Sequence, residues 1–99
     1  MTFSNDKIQE RLSSLGLTNW EFKDEKIVKN FQFASFKEAI NFVNKVAEIS
    51  ESIDHHPILT INWKTVKISL KSFDVNAITE RDFKLATKIE NSYKSTYLF

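Results

Sequence analysis

The sequence contains no cysteine and has only one glycine, one proline and two histidines among its 99 residues. Without cysteine, the chain can form neither disulfides nor thiolate metal sites. Its first thirty residues lack the apolar core of a signal peptide. No hydrophobic run approaches the roughly 20 residues that are needed to cross a bilayer. These absences predict a cytoplasmic protein with no membrane partner.

The charge and the length limit the partners and the number of domains. Fourteen Lys and Arg oppose 13 Asp and Glu, and the two signs are interspersed along the chain. This balance indicates no nucleic-acid partner. A hydrophobic content of 41% with nine Phe suffices for one core, whereas a second domain would be too small to bury one. We therefore expect a single domain over residues 1–99.

The apolar pattern of the first half predicts a helix, a hairpin and a second helix. Gly16 is placed to end the first helix. Apolar residues alternate on both sides of a polar turn at 23–26, which indicates two strands. Ser35 and Glu38 form a capping box that begins the second helix, and the helix should run to about Ile53. Its expected apolar positions are Phe36, Ala39, Ile40, Val43, Val46 and Ala47.

The second half predicts another hairpin and a last helix. Alternating runs at 59–63 and 66–70 form the hairpin, and Thr79 is placed to cap the helix. The order α-β-β-α-β-β-α, with one apolar face on each hairpin, predicts an α+β fold. In this fold three helices cover one face of a four-stranded antiparallel sheet. The other face would carry a row of polar residues, Thr65, Lys67, Ser69 and Lys71. We expect this face to be partly exposed to solvent or to be used for subunit pairing.

Both histidines and the only proline are adjacent in the run Asp54-His55-His56-Pro57, one helical turn after Glu51. Histidine exchanges a proton near neutral pH, so a pair can supply both an acid and a base. The dipole of the preceding helix favours a cation at His55, which suggests the proton donor. The proline biases His56 toward an extended backbone, which suits a base or a binder.

Two plainer interpretations compete with an acid–base pair. From position alone, His55 would more often cap the helix and His56 would be an exposed loop residue. A metal site is the other use of paired histidines. However, neighbours on an extended chain point to opposite sides, and no third histidine or cysteine exists to complete the site. We therefore predict no metal.

The pattern resembles the pterin-4a-carbinolamine dehydratases, small α+β proteins with the same order of elements. The similarity covers nearly all of the chain from Trp20 onward. The spacing from Glu51 through His55 and Trp63 to Asp82 makes the match specific. The matching residues are Trp20, Phe-Gln-Phe-Ala-Ser-Phe at 31–36, Glu51, the run 54–57, Trp63 and Ile-Thr-Glu-Arg-Asp at 78–82.

The resemblance implies loss of water from a 4a-hydroxytetrahydropterin to give the quinonoid dihydropterin. This reaction recycles tetrahydrobiopterin after aromatic amino acid hydroxylation and needs no metal or redox cofactor. The elimination across C4a and N5 requires that the leaving hydroxide is protonated while the N5 proton is removed. The resemblance also suggests a homodimer or homotetramer, and an exposed strand edge makes such pairing physically reasonable.

The resemblance assigns site residues at named positions. The catalytic pair is His55 and His56, supported by Glu51 and Asp82, and the substrate pocket is lined by Pro57, Trp63, Phe73 and Asp74. Three of these have structural alternatives. Asp82 is also placed as the capping-box partner of Thr79, Glu51 could be a solvated helix residue, and Trp63 could belong to the core.

Phe73 departs from the family pattern, which places a third histidine, occasionally a tryptophan, at this position. Phenylalanine cannot transfer a proton, although it can wall a pocket or stack on a pterin ring. In the following loop the glycines that are frequent in the family are replaced, and only Asn76 readily tolerates a left-handed backbone. The first hypothesis is thus a dehydratase of lowered activity. The alternative is a dehydratase-like protein that serves as a dimerising partner or assembly factor.

The end of the chain, Tyr97-Leu98-Phe99, is unusually apolar. These residues could dock on a neighbouring subunit or pack on their own domain.

Overall fold

The computed structural model describes residues 3–97 and contains three helices and one antiparallel sheet. The strands are ordered β1-β2-β4-β3 in the sheet. Both the α+β fold and the order of elements are therefore confirmed. The elements are α1 (Asn5–Ser14), β1 (Glu21–Lys23), β2 (Lys26–Gln32), α2 (Phe36–Ile53), β3 (Ile58–Asn62), β4 (Thr65–Leu70) and α3 (Glu80–Tyr97).

The register of the two central strands puts apolar residues on one face. Ile27 pairs with Leu70 and Phe31 pairs with Val66, and all four side chains are buried. Partners in an antiparallel pair point to the same face, so this face forms the floor of the core. The helices complete the core with Ile8, Leu12, Ala39, Phe42, Val46, Phe83, Leu85, Ala86 and Ile89. In the polar row of the opposite face, Thr65 and Lys67 are partly exposed, whereas Ser69 and Lys71 are buried.

Helix α2 begins at its predicted capping box. The Ser35 hydroxyl accepts a hydrogen bond from Glu38 N at 3.1 Å, and the Glu38 carboxylate accepts one from Ala34 N at 3.2 Å. The helix ends at Asp54, whose backbone is left-handed with φ 51°. The backbone N–H of His55 then donates to Ser50 O at 3.1 Å. This closing turn fixes where the histidine pair leaves the helix.

The predicted apolar face of α2 is wrong by part of a turn. Phe36 is 51% exposed and Ala47 is exposed, whereas Phe42, absent from the prediction, is buried. The reason is an aromatic cluster: the Phe42 ring lies 5.0 Å from the Phe31 ring and 5.7 Å from the Tyr93 ring, measured between centroids. Burial of these rings determines the rotation of the helix on the sheet.

Gly16 ends α1 as predicted, with φ 73°. At the other end of the chain, Tyr97 packs on its own domain, with its ring 5.1 Å from that of Phe33. Leu98 and Phe99 lie outside the described residues.

A buried ion pair that the sequence did not predict joins the first hairpin to α3. The Glu90 carboxylate accepts hydrogen bonds from Lys29 Nζ at 2.7 Å and from Trp20 Nε1 at 2.9 Å. All three side chains are largely buried. Because each polar atom of this group is paired, the ionic group can be buried without an orphaned charge.

Candidate active site

The end of α2 and the start of α3 meet at His55 and Asp82. His55 Nε2 lies 2.7 Å from Asp82 Oδ1. His55 is 7% exposed and Asp82 is fully buried. Asp82 lies in the first turn of α3, where the helix dipole stabilises a negative charge. The structure thus brings these two predicted site residues into direct contact.

The second oxygen of Asp82 is held by two further donors. Asp82 Oδ2 accepts hydrogen bonds from Ser72 Oγ at 2.8 Å and from Thr79 N at 2.9 Å. Asp82 therefore has both of the roles that were left open, since it caps α3 and also binds a histidine. Ser72 was not predicted, because a single serine in a loop has no periodicity or spacing that would distinguish it.

These contacts bear on which ring nitrogen of His55 carries the proton. An ionised carboxylate can only accept hydrogen bonds, so beside an ionised Asp82 the Nε2–H of His55 is the hydrogen-bond donor. In the neutral imidazole the lone pair is then on Nδ1, and no residue between 3 and 97 bonds to this atom. Nδ1 of the neutral ring is therefore able to accept a hydrogen bond or a proton.

The second histidine also pairs with a carboxylate, in a different environment. His56 Nε2 contacts Glu51 Oε2, and both side chains are exposed. An exposed pair of this kind contributes little to stability, but its imidazole can exchange protons with solvent. Pro57, which follows, is half-buried.

The loop after β4 places Phe73 and Asp74 at the surface. Ser72 and Ala77 close the loop through backbone hydrogen bonds of 2.9 and 3.2 Å, and Asn76 has φ 52°, a left-handed backbone that asparagine tolerates. Phe73 is 53% exposed. Asp74 Oδ1 accepts a hydrogen bond from Arg81 at 2.7 Å, and this bond lowers the pKa of the Asp74 carboxyl below its ordinary 3.8.

Trp63 does not join the other predicted site residues. It lies in the turn between β3 and β4 with φ 54° and is 67% exposed. The prediction placed Trp63 in the strand. In the structure the last pair of the β3–β4 hairpin is Asn62 with Thr65, so Trp63 and Lys64 form the turn. The five residues of β3 separate Trp63 from the histidines, a span of about 17 Å along an extended strand.

One further surface in the described part of the chain lies close to the site. A groove of about 580 Å³ lies between α1 and α3 and borders the site only through Arg81 and its neighbours, since neither histidine lines it.

Between residues 3 and 97, no group of three or more His, Cys, Asp or Glu is arranged to hold a metal ion. None of the helices there is long and apolar enough to span a membrane.

The fold and the two histidine–carboxylate pairs define a small α+β domain with a candidate acid–base site. A protein-family model described as "Pterin 4 alpha carbinolamine dehydratase" matches residues 1–92. The chain belongs to this family.

Relatives and solved structures agree with this assignment. Curated relatives that carry the family name include a protein of Roseiflexus sp. (strain RS-1), 42% identical over 88% of this chain and 91% of its own. Another is a protein of Metallosphaera sedula, 38% identical over 83% and 85% of the two chains. The crystal structure of a "transcriptional coactivator/pterin dehydratase" from Brucella melitensis is similar, with a TM-score of 0.83 and 29% identity over 92% of this chain and 97% of that one.

A more distant likeness concerns the fold alone. A pterin dehydratase-like protein described as a RuBisCO assembly factor in the alpha-carboxysome has a TM-score of 0.60 and 22% identity. The match covers 73% of this chain and 83% of that one.

Proposed function

We propose that this chain dehydrates a 4a-hydroxytetrahydropterin to the quinonoid dihydropterin, as a hydro-lyase in tetrahydrobiopterin recycling. Membership of the family supports the reaction class. The single observation that supports the chemistry best is the contact between His55 and Asp82, because it leaves Nδ1 of a fixed imidazole available as a base. The elimination needs no electron transfer, so acid–base groups suffice.

In the proposed mechanism His55 Nδ1 removes the proton from N5 of the substrate. His56, protonated and bonded to Glu51 through Nε2, donates its Nδ1 proton to the hydroxyl on C4a. The C4a–O bond breaks, the N5–C4a double bond forms, and water leaves. This assignment reverses the roles expected from the helix dipole. It rests on the tautomer, since a hydrogen bond from His55 Nε2–H to Asp82 leaves the lone pair of the neutral ring on Nδ1.

Phe73 is proposed to wall the substrate pocket together with Pro57 and Asp74. It occupies the position where the family usually has a third proton-transfer group, so we expect turnover below that of a three-histidine enzyme. Trp63 is no longer proposed to touch the pterin ring, since it lies at the far end of β3.

A second candidate function is that of a dimerising partner or assembly factor. It is favoured by large apolar side chains that are exposed on or beside β3, namely Ile58, Ile61 and Trp63. β3 is an edge strand of the sheet, where it pairs with β4. Exposed apolar residues on an edge strand are typical of protein interfaces. We propose a cytoplasmic homodimer or homotetramer built on a single domain over residues 1–99. This assembly is compatible with either function.

The discriminating experiment measures loss of the 4a-carbinolamine with the spontaneous rate subtracted. We expect catalysed turnover in the wild type and in the control variant Asn44→Ala, which alters an exposed residue in the middle of α2. We expect none in a double variant with His55→Ala and His56→Ala. Absence of turnover, together with no binding of a 7,8-dihydropterin analogue at millimolar concentration, would leave the partner function.

A further inference from the structure

We propose that Ser72 is a positioning residue that fixes the proton on His55 and links the Phe73 loop to that histidine. The inference rests on the proposed function for its catalytic consequence, but not for its structural part. Ser72 is fully buried, as is Asp82, through which it reaches His55.

When Asp82 is ionised, the hydrogen atoms of this network can be assigned in only one way. Ser72 has a single hydroxyl hydrogen, which it donates to Asp82 Oδ2. In the 2.7 Å contact between Ser72 Oγ and Thr79 Oγ1, the donor must therefore be Thr79. Thr79 Oγ1 in turn accepts a hydrogen bond from Arg81 N at 3.3 Å. A directed chain thus runs from the first turn of α3 through two hydroxyls to Asp82, where it meets the Nε2–H of His55.

Ser72 is also the residue that closes the loop carrying Phe73 and Asp74. Its N–H donates to Ala77 O at 2.9 Å, and its carbonyl accepts from Ala77 N and Val75 N, both at 3.2 Å. One residue therefore sets the base of the loop with its backbone and the orientation of Asp82 with its side chain. If the loop moved, the Ser72 hydroxyl would shift Asp82, and Asp82 would change the orientation of the His55 imidazole.

The test combines an activity measurement with a measurement of the His55 tautomer. Ser72→Ala removes the link, whereas Ser72→Thr keeps the hydroxyl. The matched control is Ser50→Ala, which deletes another buried hydroxyl, bonded to Val46 O at 2.8 Å within α2. For Ser72→Ala we expect kcat to fall about tenfold with little change in KM, as for loss of one hydrogen bond to a charged group. We expect the ¹⁵N shifts of the His55 ring to move toward tautomer averaging. Ser72→Thr should recover both values.

Ser72→Ala values equal to those of Ser50→Ala in both measurements would overturn the proposal. If the wild type shows no turnover, the proposed dehydratase function fails, while the ¹⁵N shifts still decide the role of Ser72. Should Ser72→Ala fail to fold, Ser72→Cys keeps the volume with a much weaker donor. An unchanged His55 tautomer in that variant would equally overturn the proposal.

Discussion

Replacement of Asp82 by asparagine should move the imidazole proton of His55 from Nε2 to Nδ1, while the shape of the side chain at position 82 stays almost the same. The side-chain oxygen of asparagine would stay toward Ser72 Oγ and Thr79 N, since both are donors. Its NH₂ group would then face His55 Nε2 and donate to it, which moves the imidazole proton to Nδ1. His55 would lose its free lone pair on the substrate side. In serine proteases the corresponding exchange lowers kcat by about 10⁴-fold for the same reason.

The Asp82 variants should affect the turnover rate and the free energy of unfolding to different extents. Asp82→Asn keeps all heavy atoms and weakens charge-assisted hydrogen bonds to neutral ones, so the free energy of unfolding should fall by about 1–3 kcal/mol. Asp82→Ala leaves three buried donors without an acceptor and should cost about 3–5 kcal/mol. For Asp82→Asn we expect kcat to fall at least about 10²-fold, within the range for loss of a positioned base.

The assay measures carbinolamine loss alongside chemical denaturation of the same samples. Asp6→Asn is the matched control, because Asp6 also lies in the first turn of a helix but is exposed on α1. The control should keep wild-type turnover. If Asp82→Asn is folded and its kcat lies within about threefold of the wild type, the assignment of His55 Nδ1 as the base is refuted.

Three further predictions address the remaining positions. Phe73→His adds a proton-transfer group and should raise kcat/KM in the dehydratase assay; an unchanged value would mean that a missing third histidine does not limit turnover. Phe42→Ala should lower the free energy of unfolding by about 3–5 kcal/mol in urea titrations, because it empties the centre of the aromatic cluster, and a loss below about 1 kcal/mol would contradict that packing. Trp63→Ala should leave KM for the pterin unchanged, and a large rise in KM would place Trp63 at the substrate after all.

The fold could be predicted from local patterns because its elements are delimited by residues that act locally. The Ser35–Glu38 capping box and Gly16 each act within a few residues, and both are found at the predicted ends. The rotation of α2 was only partly determined by the local pattern. Phe42 is at helical spacing from Ala39 and Val46, but residues 40, 43 and 47 have the same spacing. Contacts of Phe42 with Phe31 and Tyr93, which come from other elements, decide between the two faces.

In the candidate site, too, contacts between residues close in the sequence could be predicted from local patterns and contacts between distant residues could not. The adjacent histidines and Glu51 were visible in the sequence, because a five-residue separation across a helix end brings Glu51 and His56 together. The approach of Asp82 to His55 spans 27 residues and was expected only from the family resemblance. Ser72 had no such signal. The strand that ends at Asn62 was predicted to continue to Trp63, because an alternating pattern does not show where a strand turns.

The most direct test of the central claim is the catalysed rate of 4a-carbinolamine loss in the wild type and in His55→Gln, each after subtraction of the spontaneous rate. Glutamine can still donate a hydrogen bond to Asp82 but offers no base of comparable strength. The proposed mechanism predicts turnover above the spontaneous rate in the wild type and a return to that rate in His55→Gln. Equal catalysed rates in the two proteins would contradict it.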